Sequence, residues 1–268
     1  MPMILKPVPP LQGALWVRDG FRLFGRYPLA FSVMFAAFLF VALLSALVPL
    51  VGALLMLGSL PLLSLGFMVA TESALNNGPV HPGHFINPLK ADPGRRKSLL
   101  VLCALYGAAT VLIMVISDWV DGGTFEQLQK LMAGSGKQAE IDAIMADPAF
   151  AWGLFVRFGL AALLGLVFWH APALIHWGHQ GVGQALFSSA LAVWTSRGAF
   201  AVYGLVWTGI VLVFGAVTAL LFGVLGTPNI AGFVALPAAL IFSTVFYVSL
   251  LFTFNDSFGG TGQVLREA

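Results

Sequence analysis

Charge is what this sequence has least of. Asp, Glu, Lys and Arg make up 9% of its 268 residues, while 59% are hydrophobic; soluble domains carry about 25% charged residues. A soluble fold of this length could not hide so much apolar surface, because its exterior must be covered largely by polar groups. Cysteine is nearly absent. Cys103 stands alone inside an apolar run, which excludes an internal disulfide and leaves it as a small apolar filler. Net charge is only +2, which gives no basis for a nucleic-acid partner. The metalloprotease, nucleophile-elbow, P-loop and dinucleotide signatures are missing, and no span holds a carboxylate pair. The sequence therefore points away from an enzyme and calls for no cofactor.

What is there is long apolar runs, and a bilayer is the solvent they suit. A spanning helix needs roughly 20 apolar residues. Six runs qualify, at about 28–47, 53–75, 98–117, 149–175, 199–225 and 231–254. The fold class expected is an all-α integral membrane protein of six transmembrane helices in a single membrane domain. Pro28 suits the first turn of its helix, and Pro61 should kink the second. The first run begins too late, and lacks the small-residue cleavage site, to be a signal peptide. The turn at Val48-Pro49-Leu50-Val51-Gly52 carries no charge.

The few charges are unevenly placed. Lys6, Arg18, Arg22, Arg26, Lys90, Arg95, Arg96, Lys97, Arg197 and Arg266 fall on one side of the six-span arrangement, and only Lys130 and Lys137 on the other. The positive-inside rule then puts both termini in the cytoplasm of a bacterial inner membrane. Trp119 and Trp152 should mark the outer boundary, Trp169 and Trp177 the inner one. Between Leu11 and Phe24, apolar Leu15, Trp16, Phe21, Leu23 and Phe24 alternate with Arg18, Asp19 and Arg22, which suits an amphipathic helix at the headgroups. Residues 118–150 are the one sizeable polar excursion. Phe125, Leu128, Leu131 and Met132, then Ile141, Ile144 and Met145, give two short helices with apolar stripes. Thr124 with Gln127 reads as a capping box, Gly134-Ser135-Gly136 as the break, and Asp147-Pro148 as the next helix start. The expectation is an outer hairpin packed on the membrane domain, its stripes otherwise open to a partner or lipid.

The chain also repeats itself in pattern. "GFRLFGRYPLA" (20–30) matches "ALAVWTSRGAF" (190–200) in character, and each follows an amphipathic stretch, the second being 184–195. Two spans follow in each case, the second with a Leu-Pro pair (Leu60-Pro61, Leu236-Pro237) and an acid near its end (Glu72, Asp256). Units 11–75 and 182–256 would be parallel repeats flanking a central pair, 98–175. "DGFRLFGRYPL", "LVPLVG", "GFMVATESALNNGPVHPGHF" and "FWHAPAL" together resemble a family of uncharacterised bacterial multi-pass inner-membrane proteins. They are more loosely similar to the membrane domains beside some glycerophosphodiester phosphodiesterases. The resemblance implies location and topology and supplies no catalytic residues.

Ionisable groups near the apolar zone are the candidates for contact with ligand or lipid: Arg18, Arg22, Arg26, Glu72 and Arg157. Arg157, about 12 Å into its helix, is within reach of snorkelling to the outer margin, and structural ion pairing or exposure at the rim is the expectation for it. Glu72 is expected to meet Arg18 or Arg22. Pro61 and Pro237 are the candidate helix breaks. His81 and His84, with His176 and His179, form two i, i+3 pairs that would offer four imidazoles, a weak metal proposal with no supporting motif. Small residues at Gly66, Ala70 and Ala74, and at Gly215, Ala219 and Gly223, permit close helix packing or a homo-oligomer seam. Two functions remain open: a non-catalytic protein that organises anionic lipid or a membrane partner, and a small transporter or lipid carrier with a cavity between the repeats.

Overall fold

The computed structural model describes residues 4–48, 51–90, 92–134, 138–227 and 231–259. Every element in them is helical: α1 (Gln12–Arg26), α2 (Pro28–Ala46), α3 (Val51–Gly58), α4 (Leu60–Leu75), α5 (Asn87–Lys90), α6 (Pro93–Asp121), α7 (Thr124–Ala133), α8 (Gln138–Met145), α9 (Pro148–Phe168), α10 (Ala171–His176), α11 (Val182–Thr195), α12 (Arg197–Val224) and α13 (Ala231–Phe258), with one 3-10 turn at Pro82–Phe85. Five stretches are long and apolar enough to cross a membrane: α2, α6, α9 continuing into α10, α12 and α13.

Several helix starts follow their local chemistry. Pro28 opens α2, and Asp147 caps α9 by accepting from the Ala149 amide at 2.8 Å, with Pro148 next in line. Asp92 caps α6 in the same way through the Arg95 amide. The expected capping box at Thr124 does not form. Gly123, with a positive φ of 81°, takes the cap position and Thr124 becomes the first helical residue.

The second apolar run is divided at Ser59 into two helices, α3 and α4. Pro61 has no N–H to offer the Leu57 carbonyl. Backbone hydrogen bonds nevertheless cross the junction: the Ser59 amide donates to the Leu55 carbonyl and the Leu63 amide to that of Ser59. Pro237 makes no break: α13 runs through it. It lies in the second turn, where one lost bond, to Phe233, leaves most of a 28-residue helix untouched. The turn at Pro49-Leu50, the break at Ser135-Gly136 and the tail with Arg266 lie outside the described residues.

The core sits toward the arginine-rich end of the helices. One cluster joins Leu65 and Met68 of α4, Leu99 and Leu102 of α6, Leu174 of α10 and Phe254 of α13. A second packs Phe31 and Met34 of α2 on Phe67 of α4 and Val248 of α13. The third is built on α1, where Trp16 is wholly buried against Ala199, Phe200 and Tyr203 of α12. Gly13, Trp16, Val17, Gly20 and Leu23 form the buried stripe of α1, the i, i+3, i+4, i+7 spacing of one helical face. The stripe lies against α12 and α13, so protein covers it. α1 comes so close that a Cβ on Gly13 would overlap the Ala199 carbonyl oxygen, and one on Gly20 would stand 2.9 Å from the Ser249 Cβ. The second stretch expected to be amphipathic falls in α11, which packs on α9 and α10.

Toward the hairpin end the apolar side chains are bare. Val211, Leu212, Val217, Leu220 and Val224 of α12 and Phe233 and Leu236 of α13 are exposed. The short helices α7 and α8 pack on α6 and α9 at that end. Phe125 stacks on Phe150 of α9 at 6.5 Å, while no residue of α8 is buried and Met132 and Met145 stay exposed. Lys130 bonds Glu126 one turn away and holds that carboxyl below its ordinary value.

Candidate functional site

The long side chains of α1 divide by face. With the stripe through Trp16 buried, Arg18, Arg22 and Arg26 are left exposed on the other side. They are spaced i, i+4, i+8, a single row about 12 Å long. Arg18 bonds its neighbour Asp19 at 2.9 Å, so Arg22 and Arg26 dominate the row's field. Glu72 is partly buried in the last turn of α4.

Beneath the row, polar side chains lock α1 to the bundle. The Trp16 indole and the Gln12 amide both donate to Asp256 Oδ2 of α13, at 2.7 and 2.8 Å. These are charge-assisted bonds, the stronger kind. Tyr203 and Ser249 bond at 2.7 Å, and since the Ser249 hydroxyl donates to the Phe246 carbonyl, Tyr203 is the donor. The same logic fixes His170, which is wholly buried. Thr253 gives its one proton to the Leu250 carbonyl and accepts from the Trp169 indole. His170 Nε2, 3.2 Å from that hydroxyl, must therefore donate, leaving Nδ1 as an acceptor without a partner among the described residues. Trp169 is thus half-buried and spends its indole N–H inside the protein, whereas Trp119 and Trp152 are exposed on the hairpin side.

A cleft of about 150 Å³ opens beside Pro61. Leu60, Pro61 and Ser64 of α4, Tyr106 of α6, Gly165 and Phe168 of α9, Trp169 between α9 and α10, and Phe246, Tyr247 and Leu250 of α13 line it. Its wall is aromatic, with Tyr106 edge-on to Phe168 at 5.1 Å, and Ser64 spends its hydroxyl on the Pro61 carbonyl. A shallow apolar groove of about 500 Å³ lies between α12 and α13 around Val213, Phe214 and Phe242. It sits away from Pro237, which is exposed.

Arg157 is ion-paired. Its guanidinium bonds Asp118 at 2.6 Å, lies 3.7 Å from Asp121 and sits 3.9 Å above the Phe125 ring. The partners went unseen because α6 was expected to end at Ser117; it continues a further turn, to Asp121. Charges at both helix ends were the available signal. The histidines do not gather. His81 and His84 stack on each other at 4.4 Å, and His84 turns its Nε2 to the Pro79 carbonyl. His179 instead meets Arg95, whose guanidinium lies 3.0 Å from Nδ1. Among the described residues, no three His, Cys, Asp or Glu side chains come together as metal ligands do. The two small-residue series also part company. Gly66 admits the ring of Phe85, and Ala70 and Ala74 are buried, while Gly215 and Gly223 face open space.

No family model matches the chain and no solved structure matches it. A protein of Burkholderia thailandensis named a probable inner membrane protein is 33% identical to it over 248 residues, which cover 92% of this chain and 91% of that one.

Proposed function

The chain belongs to the same family as that inner membrane protein, and we propose that it is a non-catalytic protein that gathers anionic lipid at the cytoplasmic surface. α3 and α4 together make the sixth crossing, and the lysine and arginine bias puts both termini inside. α1 and α11 lie near the interface, each opening one of two parallel units. The looser likeness to phosphodiesterase-linked membrane domains adds no catalytic group to this reading. Its main support is the row Arg18, Arg22, Arg26, exposed on a helix whose other face is fastened to α12 and α13. A row so fixed loses little conformational freedom on meeting a charged surface.

Each arginine near an anionic membrane contributes about 1 kcal/mol. With Arg18 partly offset by Asp19, two effective charges correspond to roughly 30-fold in lipid preference. The test is native mass spectrometry of protein released from nanodiscs of mixed phosphatidylglycerol and phosphatidylcholine. The variant R18Q/R22Q/R26Q should lose most of the phosphatidylglycerol preference; full retention would refute the reading.

The cleft beside Pro61 supports a second reading, a lipid carrier. Its size argues for the first. Sites for small molecules run to about 300–1,000 Å³, so 150 Å³ takes part of an acyl chain and no whole solute. P61A restores the missing N–H and should join α3 to α4; a carrier would lose lipid exchange between vesicles, an organiser would not.

A further inference from the structure

We propose that Arg95, His176 and His179 form a separate binding site for a phosphate group, supplied by an anionic phospholipid or as free phosphate. The proposal rests on the reading that the arginine-rich side meets the headgroups, but uses none of the α1 row. Arg95 is in the first turn of α6, one turn before the buried Leu99, which places it at headgroup depth. His176 ends α10, and His179 follows in a left-handed conformation, φ 52°. That conformation is uncommon for a residue with a Cβ, and here it accompanies an imidazole set against the guanidinium. One Nη2 proton of Arg95 goes to His179 Nδ1 at 3.0 Å, which leaves the His179 proton on Nε2. His176 stands three positions before His179, at the end of α10.

Arg95 and His179 thus meet side chain to side chain, with His176 three positions before His179 in the chain. The acid nearest in sequence, Asp92, spends Oδ2 on the Arg95 amide at 2.8 Å. Two atoms are shut off from water and unsatisfied: Arg95 Nε and His176 Nδ1 have no hydrogen-bond partner among the described residues. Buried polar atoms are normally partnered, so an absent group with several acceptor oxygens is the natural complement. A phosphate takes a guanidinium fork and imidazole N–H donors together. Arg96 and Lys97, both exposed on the next positions of α6, add positive potential at the mouth.

The experiment uses the full chain in the same mixed nanodiscs, with three variants: R95Q, R95K and H179N, the last chosen because asparagine tolerates positive φ. Wild type should retain tightly bound phosphatidylglycerol; R95Q and H179N should lower its affinity at least about tenfold, the size of one charge-assisted hydrogen bond, and R95K should recover part of it. Displacement by millimolar inorganic phosphate identifies free phosphate as the ligand, and resistance to it identifies the lipid headgroup. If R95Q and H179N bind as wild type does, the site is refuted while the α1 reading stands. If R18Q/R22Q/R26Q leaves lipid preference unchanged and R95Q abolishes it, the α1 reading fails and this site remains.

Discussion

Replacing Arg157 with glutamine isolates how charge holds the hairpin end together. The two acids beside it are not equivalent. The Asp118 side chain is 46% exposed, so its bond to Arg157 belongs with surface pairs of about 0–1 kcal/mol. Asp121 is 1% exposed, and among the described residues its Oδ2 has no hydrogen-bond partner, only the guanidinium 3.7 Å away. Gly153 of α9 makes the burial possible, because a Cβ there would overlap the Asp121 side chain. R157Q strands a carboxylate out of water. Deleting one member of a buried pair costs about 3–5 kcal/mol, and the lower end applies because Arg157 keeps 14% exposure. The lost stacking on Phe125 adds about 0.5–2 kcal/mol. D118N should therefore cost under about 1 kcal/mol and R157Q at least about 3. In R157Q/D121N the stranded charge is gone, and about 2 kcal/mol should return as a coupling energy. Denaturant titration of each variant in micelles measures all three, and limited proteolysis between α7 and α8 reports whether the hairpin loosens first. Equal costs for R157Q and D118N, with no recovery in the double variant, would refute the assignment of Asp121 as the dependent group.

Other outcomes follow from the seat of α1. Alanine at Gly25, where a Cβ meets nothing within 4 Å, should be neutral or gain up to about 1 kcal/mol of helix propensity. Alanine at Gly13 should lose about 1–3 kcal/mol despite the same propensity gain, since backbone must move on both helices; an apparent melting temperature for G13A at or above that of G25A counts against the close crossing. W16F keeps the ring contacts with Phe200 and Tyr203 but loses the bond to Asp256, for about 1.5 kcal/mol, the lower end because Gln12 still donates to the same oxygen. In a C103S background, a cysteine at Arg96 should react with impermeant reagent only from the cytoplasm and one at Lys130 only from outside; the reverse pattern would invert the topology.

The membrane class was legible from composition alone, and the helix starts at Pro28 and Asp147-Pro148 from local rules. What sequence could not supply was anything decided across the bundle. The amphipathic stripe of α1 was visible, but periodicity is silent on whether lipid or protein covers it; Gly13 and Gly20, seven apart on that stripe, were the hint of protein. Arg157 looked isolated because its partners lie 39 and 36 positions away at the end of a helix cut one turn short. Pro61 and Pro237 obey one rule and end differently, since the first falls where α3 meets α4 and the second early in a long helix.

The two ends of the bundle differ because a bilayer gives apolar helices no hydrophobic reason to meet. Association there needs close backbone approach or polar bonds. The arginine-rich half has both: Gly13 and Gly20 admit α12 and α13, while Trp16 with Asp256, Tyr203 with Ser249, and Trp169 and His170 with Thr253 supply the bonds. In the other half Gly215 and Gly223 face open space, and only the Arg157 cluster joins neighbouring helices by charge among the described residues. Stability should therefore concentrate where α1 crosses, and apolar surface should remain open to lipid chains toward the hairpin. On the reading proposed above, the α1 end meets the headgroups and the hairpin end meets lipid chains, a division that suits holding lipid better than moving a solute across.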